Sequence, residues 1–338
     1  MTVHWGIIGA GDIARKQTAR AICEARNAEL TAVMRRTIGG ARAFAREFGA
    51  AKAYDSVEAL LADPEIDAVY VATPVYAHAE QTISAARTGK HVLVEKPMAM
   101  STTECRAMIE ACQQQGVQLA VCYYQRFNAR HQKARELVEQ GAIGQVTMAQ
   151  ARQCFLYPPQ ADNWRQDLTQ GGGGALMDVG VHCIDTLRFI LGEVQAVTAL
   201  VDTMAYDYGV DDTATLLLRF QNGAQAVVSV AFTVPEVGVD TLNFLELCGT
   251  GGRIWTSPLH SKDSRGVLRL LTPDGEQRFA FEQSTHVTLI EAFGQCIEDG
   301  APLPIPGPIP GMEGLRGMAV VEAAYESART GRTVYLER

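Results

Sequence analysis

Apolar residues in the first third of the chain fall in short runs that alternate with segments of helical period. The short runs predict buried strands at Val3–Ile8, Glu29–Met34, Ala68–Ala72, His91–Val94 and Val117–Cys122. The helical segments follow Gly11 as far as Ala25 and then cover Ala41–Phe48, Ser56–Leu61, Val75–Arg87 and Ser101–Gln115. Strands that alternate with helices in this way are typical of a doubly wound parallel sheet. We therefore predict an α/β domain over residues 1–122.

The pattern changes after Cys122, where strand-like alternation becomes dominant. Helices are predicted over Ala129–Glu139 and Gly171–Leu191. The predicted strands are Val146–Phe155, Val194–Val201, Thr213–Arg219, Ala224–Phe232, Phe244–Cys248, Gly252–Trp255, Val267–Leu271 and Gln277–Phe281. Gly and Asp turns separate them, which predicts a large, mainly antiparallel sheet in an α+β domain over residues 123–338. One face of such a sheet packs on helices and the other can stay open.

The end of the chain returns to helical periodicity. Helices are predicted over Val287–Asp299 and Met312–Arg329, with a proline-rich loop at Pro302–Pro310 between them. A last short strand is predicted at Thr333–Leu336. We assign this whole segment to the second domain because it follows that domain's strands along the chain.

Composition narrows the functional classes. The chain has 338 residues, 47% apolar and 20% charged, and a net charge of −8. The negative charge argues against nucleic acid or an anionic membrane as the main partner. No segment approaches the ~18 apolar residues of a membrane span, and we expect no cleavable leader before the first strand. The eight cysteines lack metal-binding spacing, so we expect reduced thiols, no metal site and a cytoplasmic protein.

A glycine motif joins the first predicted strand to the first helix. Residues Gly9-Ala10-Gly11-Asp12-Ile13-Ala14 have the pattern G-x-G-x-x-A. In this context the first glycine makes a tight turn and the second lets the backbone approach a pyrophosphate. The start of the helix, at Asp12 and Ile13, then directs N–H groups toward the phosphates. The motif predicts a dinucleotide-binding Rossmann domain that holds NAD or NADP.

The end of the second strand bears on which dinucleotide is bound. A site for NAD has an acidic residue here to hold the ribose 2′-hydroxyl, but this chain has Arg35-Arg36-Thr37. Two guanidinium groups and a hydroxyl suit a 2′-phosphate. We therefore favour NADP over NAD; the alternative is that one or both arginines are solvated loop residues.

The stretch Gly171–Asp185 carries the candidate chemistry of the second domain. Four glycines lead into a helix in which Asp178, His182 and Asp185 are spaced i, i+4 and i+7, which places them on one face. A carboxylate and an imidazole held by a rigid helix form a plausible acid–base device. The alternative is a helix whose Asp and His only cap or satisfy their neighbours. Cys183 faces the apolar side and is not favoured as a nucleophile.

Four motifs together resemble one family. They are Gly9–Ala14, Thr73-Pro74-Val75-Tyr76-Ala77-His78, Gly89–Pro97 with its Glu95-Lys96-Pro97, and Gly171–Asp185. Their order and spacing over nearly the whole chain are similar to the glucose–fructose oxidoreductase/inositol dehydrogenase/MocA (Gfo/Idh/MocA) family. A looser similarity to its 1,5-anhydrofructose reductase-like and dihydrodiol dehydrogenase-like members rests on Tyr157-Pro158-Pro159, Trp164-Arg165 and Gly209–Asp212.

The resemblance implies an NAD(P)-dependent oxidoreductase that acts on a secondary hydroxyl or ketone of a sugar, polyol or related diol. Family members commonly pair the free faces of their sheets, which implies a homodimer or homotetramer. Two other functions stay open at this point. One is a relative that retains NAD and cleaves glycosides by transient oxidation; the other is a non-catalytic protein that senses NADP.

The resemblance also implies roles for individual residues. Lys96 resembles a lysine that touches both the substrate hydroxyl and the nicotinamide ribose, and with Asp178 and His182 it would form a catalytic triangle that binds the substrate hydroxyl. The implied cofactor contacts, besides Gly9, Gly11, Asp12, Ile13, Arg35 and Arg36, are Thr73, Pro74, His78, Glu95, Lys96, Trp164 and Arg165. Tyr124 and Arg126 are implied to border the substrate. Asp185 either binds substrate or makes a helix-packing hydrogen bond, and His286 stands where relatives often have Tyr.

Overall fold

The computed structural model describes residues 2–235, 239–261, 263–282, 285–300 and 309–336, and their contacts divide the chain into two units. The first unit comprises Met1–Tyr124 and His286–Arg316. The second unit comprises Gln125–Thr285 and Gly317–Arg338.

Six parallel strands form the centre of the first unit, in the order β3-β2-β1-β4-β5-β6. They are β1 (Val3–Ile8), β2 (Ala28–Met34), β3 (Lys52–Tyr54), β4 (Ala68–Val71), β5 (His91–Val94) and β6 (Leu119–Val121). β1 and β4 are almost entirely buried, as expected of central strands with both faces covered. The predicted doubly wound sheet is confirmed. β3 was not predicted, because three half-buried residues carry no apolar run.

The helices of the first unit follow its strands in alternation. They are α1 (Ala19–Glu24), α2 (Ile38–Phe48), α3 (Val57–Leu61), α4 (His78–Arg87) and α5 (Thr102–Gln114). A π-helical turn, Ala14–Thr18, precedes α1, and a 3₁₀ turn, Val75–Ala77, precedes α4. The side chain of Ser101 caps α5 by accepting the N–H of Glu104, and Gly49 ends α2 in the left-handed conformation (φ 76°).

A nine-stranded sheet dominates the second unit. Eight of its strands are β7 (Val146–Cys154), β8 (Val194–Asp202), β9 (Thr213–Phe220), β10 (Gln225–Ala231), β11 (Asn243–Gly249), β12 (Gly252–Ser257), β13 (Val267–Thr272) and β14 (Gly275–Ala280). The spatial order is β14-β13-β12-β11-β7-β10-β9-β8, with Val334–Tyr335 on the outer edge of β8. Among the described strands of this second sheet, only β7 and β10 pair in parallel. The predicted mainly antiparallel sheet is confirmed.

The side chains of this sheet alternate between a buried and an open face. In β9, for example, alternate residues from Ala214 to Phe220 are buried, whereas Leu217 and Arg219 between them are exposed. The helices of the second unit are α6 (Ala129–Glu139), α7 (Leu168–Gly171), α8 (Val181–Leu191) and α9 (Val239–Leu242). Every residue of α8 is buried, its polar side chains included.

The chain returns to the first unit after Thr285. Helix α10 (Thr285–Asp299) brings Phe293 to the fully buried Trp5, with ring centroids 5.7 Å apart, and Glu291 accepts hydrogen bonds from Arg26. Strand β15 (Ile309–Pro310) then pairs with β6 as an antiparallel seventh strand. The sequence-based domain 123–338 therefore differs from the structure in this segment, because chain order does not reveal which sheet a helix will cover.

A long helix and a short strand are the last elements described. Helix α11 (Gly311–Thr330) begins in the first unit and continues into the second, and β16 (Val334–Tyr335) is the edge strand beside β8. Of the predicted proline-rich loop, residues 302–308 lie outside the described residues. Within the described ranges, no helix combines the length and the apolar character that a bilayer span requires.

Candidate active site

The glycine turn of the first unit is defined by close backbone packing. Gly9 has φ 83°, and a Cβ on it would lie 2.7 Å from Cγ2 of Thr73 and 2.9 Å from the carbonyl carbon of Ala72. The N–H groups of Gly9 and Ala10 both donate to the carbonyl of Met34 at the end of β2. Only glycine fits position 9, since any side chain would meet both an unfavourable φ and the next strand's loop.

Open space follows at the second glycine. A Cβ on Gly11 would come no nearer than 3.7 Å to any neighbour, the carbonyl oxygen of Gly9. The carbonyl of Gly11 accepts the N–H of Arg15, so helical bonding begins immediately after the turn. The side chain of Asp12 is 80% exposed and lies 3.6 Å from Arg15. The turn therefore offers backbone groups and room for a ligand next to a helix start.

The end of β2 presents arginines where an acid would select NAD. Arg36 and Thr37 are exposed, and Arg35 is half-buried. The backbone N–H of Arg35 donates to Tyr54, and its Nε lies 3.4 Å from the point where a Cβ on Gly40 would sit. The absence of a side chain at Gly40 thus lets the Arg35 side chain lie along the start of α2.

His78 links the two loops that follow β4 and β5. Its Nε2 lies 2.9 Å from the carbonyl oxygen of Thr73, and its Nδ1 lies 3.0 Å from the carbonyl oxygen of Pro97. The ring is 1% exposed, and burial lowers the pKa of His78. A neutral imidazole can donate to only one of these two carbonyls. The described contacts make His78 a brace for both loops, so its predicted contact with a cofactor would act through Thr73 and Lys96–Pro97.

Glu95 holds the backbone of Lys96 from a buried position. Its carboxylate accepts a short hydrogen bond from the Tyr70 hydroxyl and a 3.0 Å bond from the N–H of Lys96. The thiol of Cys122 also donates to it. Burial raises the pKa of Glu95, because a charged carboxylate is costly where little water reaches it. These contacts fix the direction in which the chain leaves β5 and hence the position of the half-buried Lys96.

The start of the predicted site helix is clamped in the second unit. The Asp211 carboxylate accepts the N–H groups of Gly174 and Leu176, each at 2.8 Å, and the hydroxyl of Tyr325 donates to it at 2.8 Å. A Cβ on Gly174 would lie 1.8 Å from the carbonyl oxygen of Asp211. The glycines of this stretch therefore allow a separate loop to reach and cap the helix N-terminus. Sequence reasoning did not identify Asp211 or Tyr325 as site residues.

The helix itself is not uniformly α-helical. Leu176–Gly180 forms a π-helical turn that contains Asp178, and α8 follows from Val181. Wider turns of this kind are rare and occur frequently at functional sites. The predicted i, i+4 relation of Asp178 and His182 therefore spans a change from π-helix to α-helix. No residue propensity in the sequence predicts this change.

Three polar residues of this helix have three different surroundings. The side chain of Asp178 is 23% exposed and its Oδ1 lies 3.8 Å from Nε of Arg165, whose guanidinium stacks on Trp164 at 4.3 Å. His182 is 2% exposed, and its ring contacts that of His260 with centroids 4.5 Å apart. The third residue, Asp185, lies deeper in the protein.

Asp185 forms a buried, bidentate ion pair with Arg126. Both guanidinium nitrogens that make the pair, Nε and Nη2, lie 2.6–3.1 Å from the carboxylate oxygens, and the side chains are 1% and 3% exposed. Removing one partner of such a pair leaves a buried charge without its counterion. The geometry favours the helix-packing alternative for Asp185, and the predicted contact of Arg126 with substrate stays a prediction.

The remaining predicted residues lie in different places. Tyr124 is 2% exposed and packs on His286 of the same unit, with ring centroids 4.0 Å apart. Thr73 donates its hydroxyl to Gln81 at 2.7 Å. Within the described part of the chain, no group of three or more His, Cys, Asp and Glu side chains is arranged to hold a metal ion.

Two family models match the chain. The model described as "Oxidoreductase family, NAD-binding Rossmann fold" matches residues 3–123, and the model described as "GFO/IDH/MocA C-terminal domain" matches residues 131–255. The chain belongs to the Gfo/Idh/MocA oxidoreductase family. The resemblance drawn from the four motifs is thereby confirmed.

Named relatives align with this chain over nearly its full length. A 1,5-anhydro-D-fructose reductase of Ensifer adhaerens is 34% identical over 99% of this chain and 98% of its own. A D-xylose 1-dehydrogenase (NADP(+)) of Haloferax volcanii is 33% identical over 98% and 99%. The crystal structure of an aldose-aldose oxidoreductase of Caulobacter crescentus, complexed with glycerol, superimposes with a TM-score of 0.90 at 28% identity, over 99% of this chain and 100% of that one. The protein is an NAD(P)-dependent oxidoreductase.

The residues of the first unit fit the cofactor that the Gfo/Idh/MocA family uses. The backbone at Gly9 lies close to Ala72 and Thr73, the position at Gly11 is open, and a helix starts after it. Together these features form a cradle that a side chain at either glycine would fill. The N–H groups in the first turn of that helix suit a pyrophosphate, because the first N–H groups of a helix have no partner within it. Thr73 and Lys96 follow strand ends of the same sheet, and ligands of doubly wound sheets bind beyond the carboxyl ends of their strands.

Proposed function

We propose that this enzyme interconverts a secondary hydroxyl and a ketone on a sugar, polyol or related diol, and that it prefers NADP. The observation that carries the proposal is His182, a buried imidazole on a helix that Asp211 clamps at its N-terminus. The names of the two aligned relatives, a reductase of 1,5-anhydro-D-fructose and a dehydrogenase of D-xylose, support a sugar-like substrate.

His182 is the proposed proton carrier. The reference pKa of histidine, ~6.5, allows it to take up and return a hydroxyl proton near neutral pH. Asp178, four residues earlier, orients the imidazole or binds a neighbouring hydroxyl of the substrate. The nicotinamide ring of the bound cofactor supplies the carbon that accepts or gives the hydride.

Lys96 is the proposed electrostatic partner of the reacting oxygen. A lysine ammonium stabilises the negative charge that develops on that oxygen as its proton leaves. The support for this role is local: the Glu95 carboxylate and the His78 brace hold the loop from which Lys96 projects. Tyr124 and Arg126 are proposed to border the substrate.

The proposed cofactor contacts follow the ends of the strands. Arg36 provides the main partner of a 2′-phosphate and Arg35 a peripheral charge, and the exposure of Arg36 supports this division. The remaining contacts are assigned to Gly9, Gly11, Asp12, Ile13, Thr73, Pro74, His78, Glu95, Trp164 and Arg165.

A substrate screen tests the function. Purified enzyme is mixed with NADP or NAD and a panel of aldoses, ketoses, polyols and anhydro sugars, and the absorbance of reduced nicotinamide is followed in both directions. We expect turnover with at least one sugar or polyol and a higher kcat/KM with NADP. Turnover confined to substrates without adjacent hydroxyls would contradict the proposed substrate class, and a preference for NAD would contradict the proposed cofactor.

We also propose that the open face of the second unit's sheet joins two copies of the chain. Met148, Leu200, Leu217 and Tyr335 are 57–72% exposed on its strands, and a groove of about 380 Å³ lies among Met148, Leu217 and Tyr335. Apolar side chains gathered in this way are typical of an interface.

Light scattering tests the assembly. One chain has a mass of 36.6 kDa, and we expect at least twice this mass at micromolar concentration. Leu217→Asp should reduce the mass toward one chain. Leu168→Asp is the matched control, since Leu168 is 54% exposed outside this sheet and should leave the mass unchanged. A wild type of single-chain mass contradicts the proposal.

A further inference from the structure

The ring of His182 does not stand alone in the second unit: a second histidine, His260, packs on it. The two ring centroids are 4.5 Å apart and the ring planes are inclined by 45°. Tilted contact at this separation is the favourable geometry for a pair of aromatic rings. His182 is 2% exposed, whereas His260 is half-buried. The half-buried ring therefore covers part of the buried one.

The loop that carries His260 is fixed by Asn243 at the start of β11. The side-chain oxygen of Asn243 accepts the N–H of His260 at 2.9 Å, and its side-chain nitrogen donates to the carbonyl of His260 at 3.1 Å. The backbone carbonyl of Asn243 also accepts the hydroxyl of Ser257 at 3.0 Å and the N–H of Leu259 at 3.3 Å. Asn243 thus holds the backbone of His260 on both sides of the His260 Cα.

Helix α6 holds the other side of the same loop. Arg130, which is fully buried, donates from Nη2 to the hydroxyl of Ser261 at 2.7 Å. The N–H of Ala129 donates to the hydroxyl of Ser264 at 3.0 Å, and the side chain of Asn128 reaches the carbonyl of Asp263. These bonds join the first turn of α6 to the residues directly after His260. Because the loop is fastened from two elements, the place of His260 does not depend on its own side chain.

We propose that His260 is a positioning residue for His182: it holds the acid–base imidazole in one ring orientation through the tilted contact of the two rings. The inference rests on the proposed acid–base role of His182. An imidazole that carries a proton in the reaction must keep one ring nitrogen directed at the reacting oxygen, and a displacement of about 1 Å can cost on the order of a hundredfold in rate. A packed ring removes the alternative rotamers that would cause such a displacement.

Two substitutions at position 260 separate packing from hydrogen bonding. His260→Phe keeps an aromatic ring against His182 but removes both ring nitrogens, whereas His260→Ala removes the ring. We expect His260→Ala to lower kcat by about ten- to a hundredfold with KM for the cofactor within about twofold of wild type. We expect His260→Phe to recover kcat to within about threefold of wild type, since the ring contact is retained.

Asn243→Ala tests the same contact without changing either histidine. It removes the two hydrogen bonds that hold the His260 backbone, and kcat should fall by about three- to tenfold as His260 moves away. The matched control is Asn222→Ala. Asn222 makes the same two kinds of bond, accepting the N–H of Ala224 and donating to the carbonyl of Leu191, at a turn between β9 and β10. This control should leave kcat unchanged, and it accounts for any general loss of stability.

A chemical measurement tests the contact independently of the reaction. Diethyl pyrocarbonate modifies exposed histidines, and mass spectrometry of peptides gives the rate at His182 alone. We expect this rate to rise severalfold in His260→Ala and to stay near the wild-type value in His260→Phe.

The outcomes divide clearly. Equal losses of kcat in His260→Ala and His260→Phe would overturn the proposal, because the ring nitrogens and not the ring contact would then matter. Near-wild-type kcat in His260→Ala, or in Asn243→Ala if His260→Ala does not fold, would overturn it as well. Full turnover in His182→Ala would instead overturn the proposed function, and the modification rate of His182 would still decide whether His260 covers it.

Discussion

The two units hold their predicted site residues by different means. In the first unit Gly9, Thr73 and Lys96 each come within two residues of the end of a strand of one parallel sheet, so the sheet's topology sets their positions. In the second unit His182 lies on a helix whose position depends on side chains far away in sequence. Asp211 reaches the start of this helix from 37 residues away, Tyr325 reaches Asp211 from 114, and Arg126 reaches Asp185 from 59.

The difference determines how each part responds to change. A site made of backbone turns is sensitive to substitution at the few glycines that the turns require, and its remaining side chains can be exchanged to alter which ligand is bound. A site built on a helix that side chains hold in place is sensitive to substitution at residues that never touch the ligand. The following predictions test this contrast.

The largest effect is expected at the proposed chemistry itself. His182→Ala should lower kcat by about 10²–10⁴-fold, the usual contribution of a positioned acid or base. Lys96→Ala, in the other unit, should cause a loss of similar size. Single-turnover and steady-state kinetics at saturating cofactor measure both. If the two residues act on one oxygen, the double variant should lose much less than the product of the two single losses.

Near-wild-type turnover in either single variant, with an unchanged circular dichroism spectrum, would remove that residue from the mechanism. Fully multiplicative losses in the double variant would show that the two residues act on separate steps.

The next largest effect is expected at Arg35 and Arg36, side chains of the first unit that can be exchanged to alter which cofactor is bound. Arg36→Ala should raise KM for NADP by about ten- to a hundredfold and leave KM for NAD nearly unchanged, since a charge-assisted contact contributes about 1.5–3 kcal/mol. Arg35→Ala should act in the same direction, and the double variant should shift preference toward NAD. The measurement is kcat/KM with each cofactor.

Arg46→Ala is the control for a general change of charge, because Arg46 is exposed in the last turn of α2, the helix that follows Arg36. Equal losses with both cofactors in Arg36→Ala would mean that this arginine does not recognise the 2′-phosphate.

A third effect tests the clamp in the second unit. In Gly174→Ala the new methyl group would lie 1.8 Å from the carbonyl oxygen of Asp211, so the loop or the helix must move. We expect a loss of about 1–3 kcal/mol in the free energy of unfolding, measured with urea, together with reduced kcat. Gly209→Ala in the Asp211 loop is the control, since no atom lies within 4 Å of its added Cβ. Equal stability of the two variants would contradict the clamp.

The smallest effect should come from one hydrogen bond of the same clamp. Tyr325→Phe removes the hydroxyl that donates to Asp211, and the free energy of unfolding should fall by about 0.5–1.5 kcal/mol. Tyr76→Phe, at a tyrosine that is 55% exposed, should be neutral. A Tyr325→Phe enzyme as stable as wild type would assign the anchoring of the helix to the Asp211 carboxylate alone.

The contrast between the units also explains what the sequence could predict. The alternation of apolar runs and helices predicted the parallel sheet, and the glycine pattern predicted the turn at Gly9, because both depend on neighbours along the chain. Lys96 could be assigned to the same edge of the sheet as Gly9 for a related reason: the carboxyl ends of strands in a parallel sheet meet at one edge.

What the sequence did not reveal depends on distant partners. Asp211 lies in the Gly209–Asp212 motif, but no local pattern shows the contacts that Asp211, Tyr325 and His260 make, since each acts on a helix that only the folded chain brings near. The segment 286–316 was assigned to the second domain because an amphipathic helix shows that it has an apolar face but not which core that face will join.

That segment has a consequence for the order of events during synthesis. The first unit is made early except for α10, β15 and the start of α11, which lie after an insertion of some 160 residues. Until they emerge from the ribosome, the partner ring of Trp5 and the strand beside β6 are missing. The nascent nucleotide-binding unit therefore stays incomplete while strands β7 to β14 of the second unit are being translated, and its last contacts form only after that.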